Sequence, residues 1–237
     1  MPSKMRLWKR SETTDMKHIY IIGAGGVGSW LTPAICLLKN KNDVTVIDAD
    51  ILEKKNLNRQ LFTDSEIGLS KADALSKKYG CKFVGSWFTN GLLDLHKSDW
   101  LLVGVDNHTA RKAALEACDD HGCKAIIGAN ETTSAEAFYY QPDWKGSPLD
   151  PRTYYPEINT DSSGDPRAAA IGCTGEAQEV NKQLVSANFM AAALMQHLFV
   201  IWNLERPKMP VELVPHLPYQ IISNLTAYVV NKIKDKQ

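Results

Sequence analysis

The chain has 237 residues, 44% of them apolar, which is enough for one sizeable core. Lys plus Arg and Asp plus Glu both number 27, so the formal net charge is zero, and no global charge draws the chain to nucleic acid or to an anionic membrane. Five cysteines, an odd number with no Cys-x-x-Cys spacing, argue against a disulfide framework and for a reducing, cytoplasmic setting.

Basic residues cluster at the start (Lys4, Arg6, Lys9, Arg10). No apolar h-region follows them, so no signal peptide is expected. Residues 18–22 are rich in Ile and read as a strand buried on both faces of a parallel sheet. A helix is predicted over 26–39, kinked or tightened by Pro33. "DVTVID" (43–48) reads as the second strand. "SKADALSKKYG" (70–80) reads as a helix with Ser70 as N-cap, Asp73 three residues on and Gly80 at its stop. Strands follow at 81–88, 100–106 and 124–129, with a helix over 108–120. This alternation predicts a Rossmann-like, doubly wound α/β sheet, mostly parallel, with helices on both faces. Residues 135–142 read as a further, antiparallel strand.

The character changes at Pro142. From there to Pro166 the chain carries five of its eleven prolines, and a long irregular loop is expected. An apolar helix is predicted over 181–203. Its run Leu184–Leu204 is long enough to raise a membrane question. Ser186, Asn188, Gln196, His197 and Asn203 punctuate it, so a helix buried in a core or dimer interface is the expectation. Prolines in 211–224 confine a last strand to a sheet edge. "CDDHGC" (118–123) offers two thiols and a His, but no second ligand pair answers it, so no metal is expected there.

Gly23, Gly25 and Gly28 satisfy G-x-G-x-x-G between a strand and a helix, with Gly26 beside them. Glycine lets backbone N–H groups approach phosphate, and the helix N-terminus adds partial positive charge. Asp48 ends the second strand, 20 residues beyond Gly28, where a carboxylate accepts from ribose hydroxyls. The motif alone does not separate a dinucleotide redox enzyme from an ATP user. The next stretch does. "DADILEKKNLNRQLF" places Asp48, Asp50, Asn56, Arg59 and Gln60 in one loop. A triphosphate needs such a set, since Arg offers a planar fork for phosphate oxygens and an amide can orient them. Lys71 opens the next helix, against the helix dipole. Asp106 ends the fourth strand, at the ligand-binding edge of such sheets, and suits Mg²⁺; its alternative role is the N-cap of the following helix. These residues meet the needs of one chemistry: a carboxylate attacks the α-phosphate of ATP and pyrophosphate leaves. No Walker-type phosphate loop occurs.

"GAGGVGS", "DAD…NLNRQ", "GLSKADA" and "VDNHTAR" stand in an order and spacing that resemble the adenylation domain of ubiquitin-activating enzymes. They are equally similar to its bacterial relatives, the ThiF/MoeB/HesA family of sulfur-carrier adenylyltransferases. The resemblance runs from about residue 18 to 140, with weaker support to about 203. It implies an ATP-dependent enzyme in which Asp48 holds the ribose and Asn56, Arg59 and Lys71 contact phosphates. By the same resemblance Asp106 binds Mg²⁺, Gln60 supports the site, and Asp50 belongs to the shell around metal and phosphates. The attacking carboxylate is then the C-terminal glycine of a ubiquitin-like, β-grasp protein. The implied organisation is a single adenylation domain over 1–237: N-terminal segment 1–17, nucleotide-binding core 18–141, crossover loop 142–172, and C-terminal helix and edge strand 173–237.

Some relatives stop at the acyl-adenylate, and others pass the acyl group to a cysteine. Cys173 stands where such members carry one, and is read either as that nucleophile or as a small buried hydrophobe. The zinc-binding pair of Cys-x-x-Cys motifs common in the family is absent, so no zinc is expected. No ubiquitin-fold or rhodanese extension follows, so a conjugating-enzyme partner would be recruited by the compact domain or the loop. A homodimer is expected, in which Arg6 or Arg10 either reaches the partner's γ-phosphate or lies in a solvated tail. Two other substrates stay open within the family: a carbonyl on tRNA, or a short peptide.

Overall fold

The computed structural model describes residues 17–131, 133–160, 184–205 and 218–224. Three four-residue apolar runs, β1 (Ile19–Ile22), β2 (Val44–Ile47) and β4 (Trp100–Val103), are buried at every position. Runs of this kind fit strands covered on both faces. Helix α1 (Gly26–Leu38) leads from β1 to β2, and α2 (Lys71–Tyr79) precedes β3 (Lys82–Val84). After β4 come α3 (His108–His121), β5 (Lys124–Asn130) and β6 (Ser134–Tyr140). The short helices α4 (Pro151–Tyr154) and α5 (Glu157–Thr160), the long α6 (Val185–Phe199) and the strand β7 (Gln220–Asn224) complete the described elements.

The strands form one sheet in the order β3-β2-β1-β4-β5-β6-β7. The five strands from β3 to β5 are parallel; β6 is antiparallel to β5, and β7 to β6. The chain builds outward from β1 in one direction, then returns to build from β4 in the other. The crevice between the carboxyl ends of β1 and β4 is therefore the switch point at which open α/β sheets bind ligands. Asp99 fixes the opposite ends of these two strands. It is fully buried, and its carboxylate accepts the N–H of His18 at 2.9 Å and of His96 at 3.0 Å.

Helices cover both faces, as the alternating pattern predicted. One apolar cluster joins the sheet to α1, α2 and α6, and a second joins it to α3 and α5. The local signals act as read. Ser70 caps α2 by accepting the Asp73 N–H, and Gly80 ends it at φ +74°. Helix α1 continues through Pro33 to Leu38. Val185–Asn203 is long and apolar enough to cross a membrane, yet α6 lies on β5 and β6 with Ala187, Ala191, Met195 and Phe199 buried. A Cβ at Gly128 of β5 would meet Met195 Sδ at 2.3 Å, so glycine is what lets this helix approach the sheet. A π-helical turn over Val200–Glu205 extends it, and Trp202 stacks on Tyr139 at 4.1 Å.

Three expectations change. The third strand is three residues long rather than 81–88, and residues 85–88 leave the sheet. The irregular loop expected over 142–172 holds, up to residue 160, a 3-10 turn (Pro142–Trp144), α4 and α5. Pro142 and Pro151 each sit at a helix start, where a missing N–H costs nothing. The last strand spans Gln220–Asn224 at the sheet edge, while 211–217 lie outside the described residues. Cys118 and Cys123 are fully buried core thiols 3.4 Å apart, and no metal-holding cluster occurs among the described residues.

One buried polar knot ties the segment after β6 to α3. The Arg152 guanidinium donates to Asp150 at 2.9 Å, to Asp119 at 2.8 Å and to the Tyr140 hydroxyl at 2.6 Å. Burial pushes the Asp119 carboxyl up, but hydrogen bonds from Arg152, Tyr140 and Lys145 outweigh it and hold it below the ordinary value. Asp119 therefore stabilises the fold above the usual carboxylate range, and that stability is lost as pH falls through its depressed value. Arg152→Ala leaves buried Asp150 without its cation and Asp119 with Lys145 alone, and should lower the unfolding free energy by about 3 kcal/mol at pH 7. Urea unfolding at pH 7 and at acid pH checks this: the gap between wild type and variant should narrow in acid.

Candidate active site

The glycine turn is held from below. Gly23 donates its N–H to Ile47 O at 2.9 Å and adopts φ +92°, a region open to glycine. A Cβ at Gly28 would lie 1.8 Å from Gly23 O, so the first turn of α1 closes directly onto the end of β1. Asp48 joins this turn to the next loop. One of its carboxylate oxygens accepts the Ala24 N–H at 2.6 Å and the other accepts the Asp50 N–H at 2.7 Å. Burial raises the Asp48 pKa above the ordinary value, opposed by these two N–H groups and by Lys71.

From Asp48 the chain leads to a cation. Asp50 Oδ2 pairs with Lys71 Nζ at 2.7 Å, with the lysine side chain 7% exposed and the aspartate 44%. The Asp50 carbonyl also accepts the Lys71 N–H at 3.0 Å. Sequence reasoning placed Lys71 at a helix start, where a cation is locally disfavoured; the Asp50 carboxylate compensates.

The amide and guanidinium groups of the loop divide. Asn56 is buried, but its Oδ1 accepts the Glu53 N–H at 3.0 Å in a reciprocal cap. It shapes the loop rather than presenting that oxygen to a ligand. Gln60 is buried beside Gly25, and its Oε1 has no partner among the described residues. Arg59 is half-buried, makes no ion pair among the described residues, and holds the Trp30 indole N–H through its carbonyl at 3.2 Å. Asp106 is exposed just beyond β4. Its alternative reading as the helix cap falls away, because Asn107 accepts the Ala110 N–H at 2.8 Å and caps α3. Cys173, Arg6 and Arg10 lie outside the described residues.

A pocket opens beside the turn, lined by Gly23, Asp48, Ser86, Trp87, Phe88 and Asn107 among others. Residues 86–88 were read as strand. They leave the sheet early and supply an apolar, aromatic wall at the carboxyl edge of β2. Trp87 and Phe88 are as apolar as strand residues should be, and Gly85-Ser86 is the break at which the chain leaves the sheet. The site thus joins an apolar slot, a buried carboxylate, a glycine turn at a helix N-terminus and a paired lysine along one crevice. This arrangement can take a planar base in the slot and an anion at the α1 N-terminus. Gly28→Ala should destabilise the unliganded protein by about 3 kcal/mol or more, because the clash is with backbone; thermal unfolding checks it.

The ThiF family profile matches residues 8–80. Ubiquitin-like modifier-activating enzyme 5 of Culex quinquefasciatus is 28% identical over 138 residues, covering 49% of this chain and 34% of that protein. The chain therefore spans about a third of the length of the curated relatives it matches. Two solved structures share the fold. PaaA aligns with a TM-score of 0.59 at 16% identity, over 89% of this chain and 61% of its own. E. coli MccB with ATP aligns with a TM-score of 0.56 at 18% identity, over 78% and 55%. The ordered motifs and the matched segment make the N-terminal third of the chain similar to the ThiF family, and the mixed seven-stranded sheet has the fold of these solved structures.

Proposed function

We propose that this chain is an ATP-dependent adenylyltransferase that activates the C-terminal glycine of a ubiquitin-like protein. One observation carries the reading: Lys71 is buried and paired with Asp50 beside the Asp48-held glycine turn. A site that only binds a dinucleotide has no need of such a cation. Similarity to a ubiquitin-like modifier-activating enzyme supports the substrate class, and likeness to a fold neighbour solved with ATP supports the nucleotide.

In this reading the base lies between Trp87 and the carboxyl ends of β1 and β4. Asp48, already accepting two N–H groups, offers its remaining lone pairs to ribose hydroxyls. The glycine turn and the α1 N-terminus face the phosphates, with Arg59, Lys71 and Gln60 on the α2 side. Asn56 contributes through the loop that it shapes. The glycine carboxylate attacks the α-phosphorus, the bond from that phosphorus to the bridging oxygen breaks, and pyrophosphate leaves. The protein supplies positioning and countercharge rather than covalent chemistry.

The donor set fits Mg²⁺. Asp106 is an exposed carboxylate at the carboxyl edge, and Asp50, paired with Lys71, would be the second oxygen donor. No cluster of three or more metal-holding side chains occurs among the described residues, which suits an ion held by one or two carboxylates together with substrate phosphates. When bound, the ion offsets charge on the departing pyrophosphate. A second step follows at Cys173. Its thiolate attacks the acyl carbon, AMP leaves, and a thioester forms. The enzyme works as a homodimer in the cytoplasm, without zinc, and hands its product to a conjugating partner.

Lys71→Ala and Asp106→Ala should each reduce carrier-dependent ATP–pyrophosphate exchange by at least about a hundredfold. Near-normal exchange in either would remove that residue from the site. Cys173→Ala should spare exchange and abolish a thiol-sensitive adduct with the carrier; an adduct that persists makes Cys173 structural. Incubation with ATP and small β-grasp proteins ending in glycine, followed by mass measurement of adenylate and thioester, tests the substrate class. Adenylation of a short peptide or a tRNA carbonyl instead would replace the ubiquitin-like substrate and keep the chemistry.

A further inference from the structure

Helices α1 and α6 lie side by side and run in the same direction. Asn188 abuts Gly26, Phe189 packs edge-on to Trp30 at 5.4 Å, and the Lys39 ammonium lies over the Phe199 ring at 5.8 Å. Both N-termini therefore open at the carboxyl edge of the sheet. Neither carries a side-chain cap or an acidic residue in its first turn.

Asn188 sits in the first turn of α6 and is fully buried. Among the described residues neither its Oδ1 nor its Nδ2 has a hydrogen-bond partner. An amide buried in this way forgoes its hydrogen bonds, and an orphaned polar group of this kind calls for a ligand or a catalytic role. The amide presses on the first residue of α1, since a Cβ at Gly26 would lie 2.4 Å from Asn188 Oδ1. Its side of the crevice is distinctive. Helix α1 is flanked by α2, next to the loop holding Asp50, Lys71 and Gln60, and on its other side by α6. Asn188 thus faces the α1 N-terminus from the side opposite the cation.

We propose that the Asn188 carboxamide binds the acyl end of the second reactant, with Nδ2 donating to its carboxylate, and later its carbonyl, oxygen at the N-terminus of α1. This rests on the adenylyltransferase reading and adds the residue that holds the group to be activated. The nucleotide phosphates are met from the Lys71 side and the carboxyl group from the Asn188 side, with the glycine turn between them.

The test uses the full chain, with AMP and glycylsulfamoyl adenosine, a stable mimic of a glycyl adenylate, titrated by calorimetry. Asn188→Ala should weaken the mimic roughly tenfold and leave AMP within roughly twofold. Asn188→Asp keeps the shape and replaces the donor with charge, so it should weaken the mimic further. Equal losses for both ligands, or no loss for either, overturn the assignment. Unliganded Asn188→Ala should melt no lower than wild type, since an unpaired amide has been removed; a clear drop makes the amide structural and also overturns it. A wild-type chain that binds neither probe overturns the adenylyltransferase reading instead.

Discussion

The site hangs on the Asp48 carboxylate. It is buried at the end of β2, and both of its oxygens are taken by backbone N–H groups, from Ala24 in the glycine turn and from Asp50 in the following loop. One side chain therefore sets the distance between two segments that the sequence separates by more than twenty residues. Burial alone would favour protonation. The two N–H groups and the nearby lysine work against it. Because the Asp50 N–H is fixed in this way, the Asp50 carboxylate meets Lys71, and the start of α2 is drawn to the crevice.

The rest of the fold keeps that crevice rigid. Asp99 pins the far ends of β1 and β4, the strands that border it. Two apolar clusters, one on each face, hold the helices whose N-termini point at it. Strands β5 and β6 give α6 a floor on which to lie parallel to α1. The aromatic stack of Trp202 on Tyr139 and the Arg152 knot anchor the outlying segments on opposite faces.

Much of this was legible in the sequence because it is local. Continuous apolar runs gave the buried strands, and Ser70 and Gly80 gave both ends of α2. The glycine spacing followed by Asp48 gave the nucleotide crevice. What escaped depends on contacts between distant segments. Residues 81–88 mix Lys82, Gly85 and Ser86 with apolar residues, and no clean alternation separates the three residues that pair from those that wall the pocket. Asp106 and Asn107 are both able caps, and only packing decides that Asn107 turns inward. Pro142 and Pro151 read as loop punctuation, yet each starts a helical turn. Asn188 looked like a polar interruption in an apolar helix, and its meaning appears only when Gly26 is placed against it.

The Lys71–Asp50 pair also bears on which ligands the crevice accepts. At rest the lysine is already neutralised, and it is buried while its partner is half open to water. A bare anion that claims the lysine must strand the aspartate, losing on one contact much of what it gains on the other. An anion that arrives with its own divalent cation gives the aspartate a new partner in the same step. In the adenylation proposed above, the pair would act as an ion exchanger, trading one internal bridge for two external ones and favouring a metal-bound polyphosphate over free inorganic phosphate.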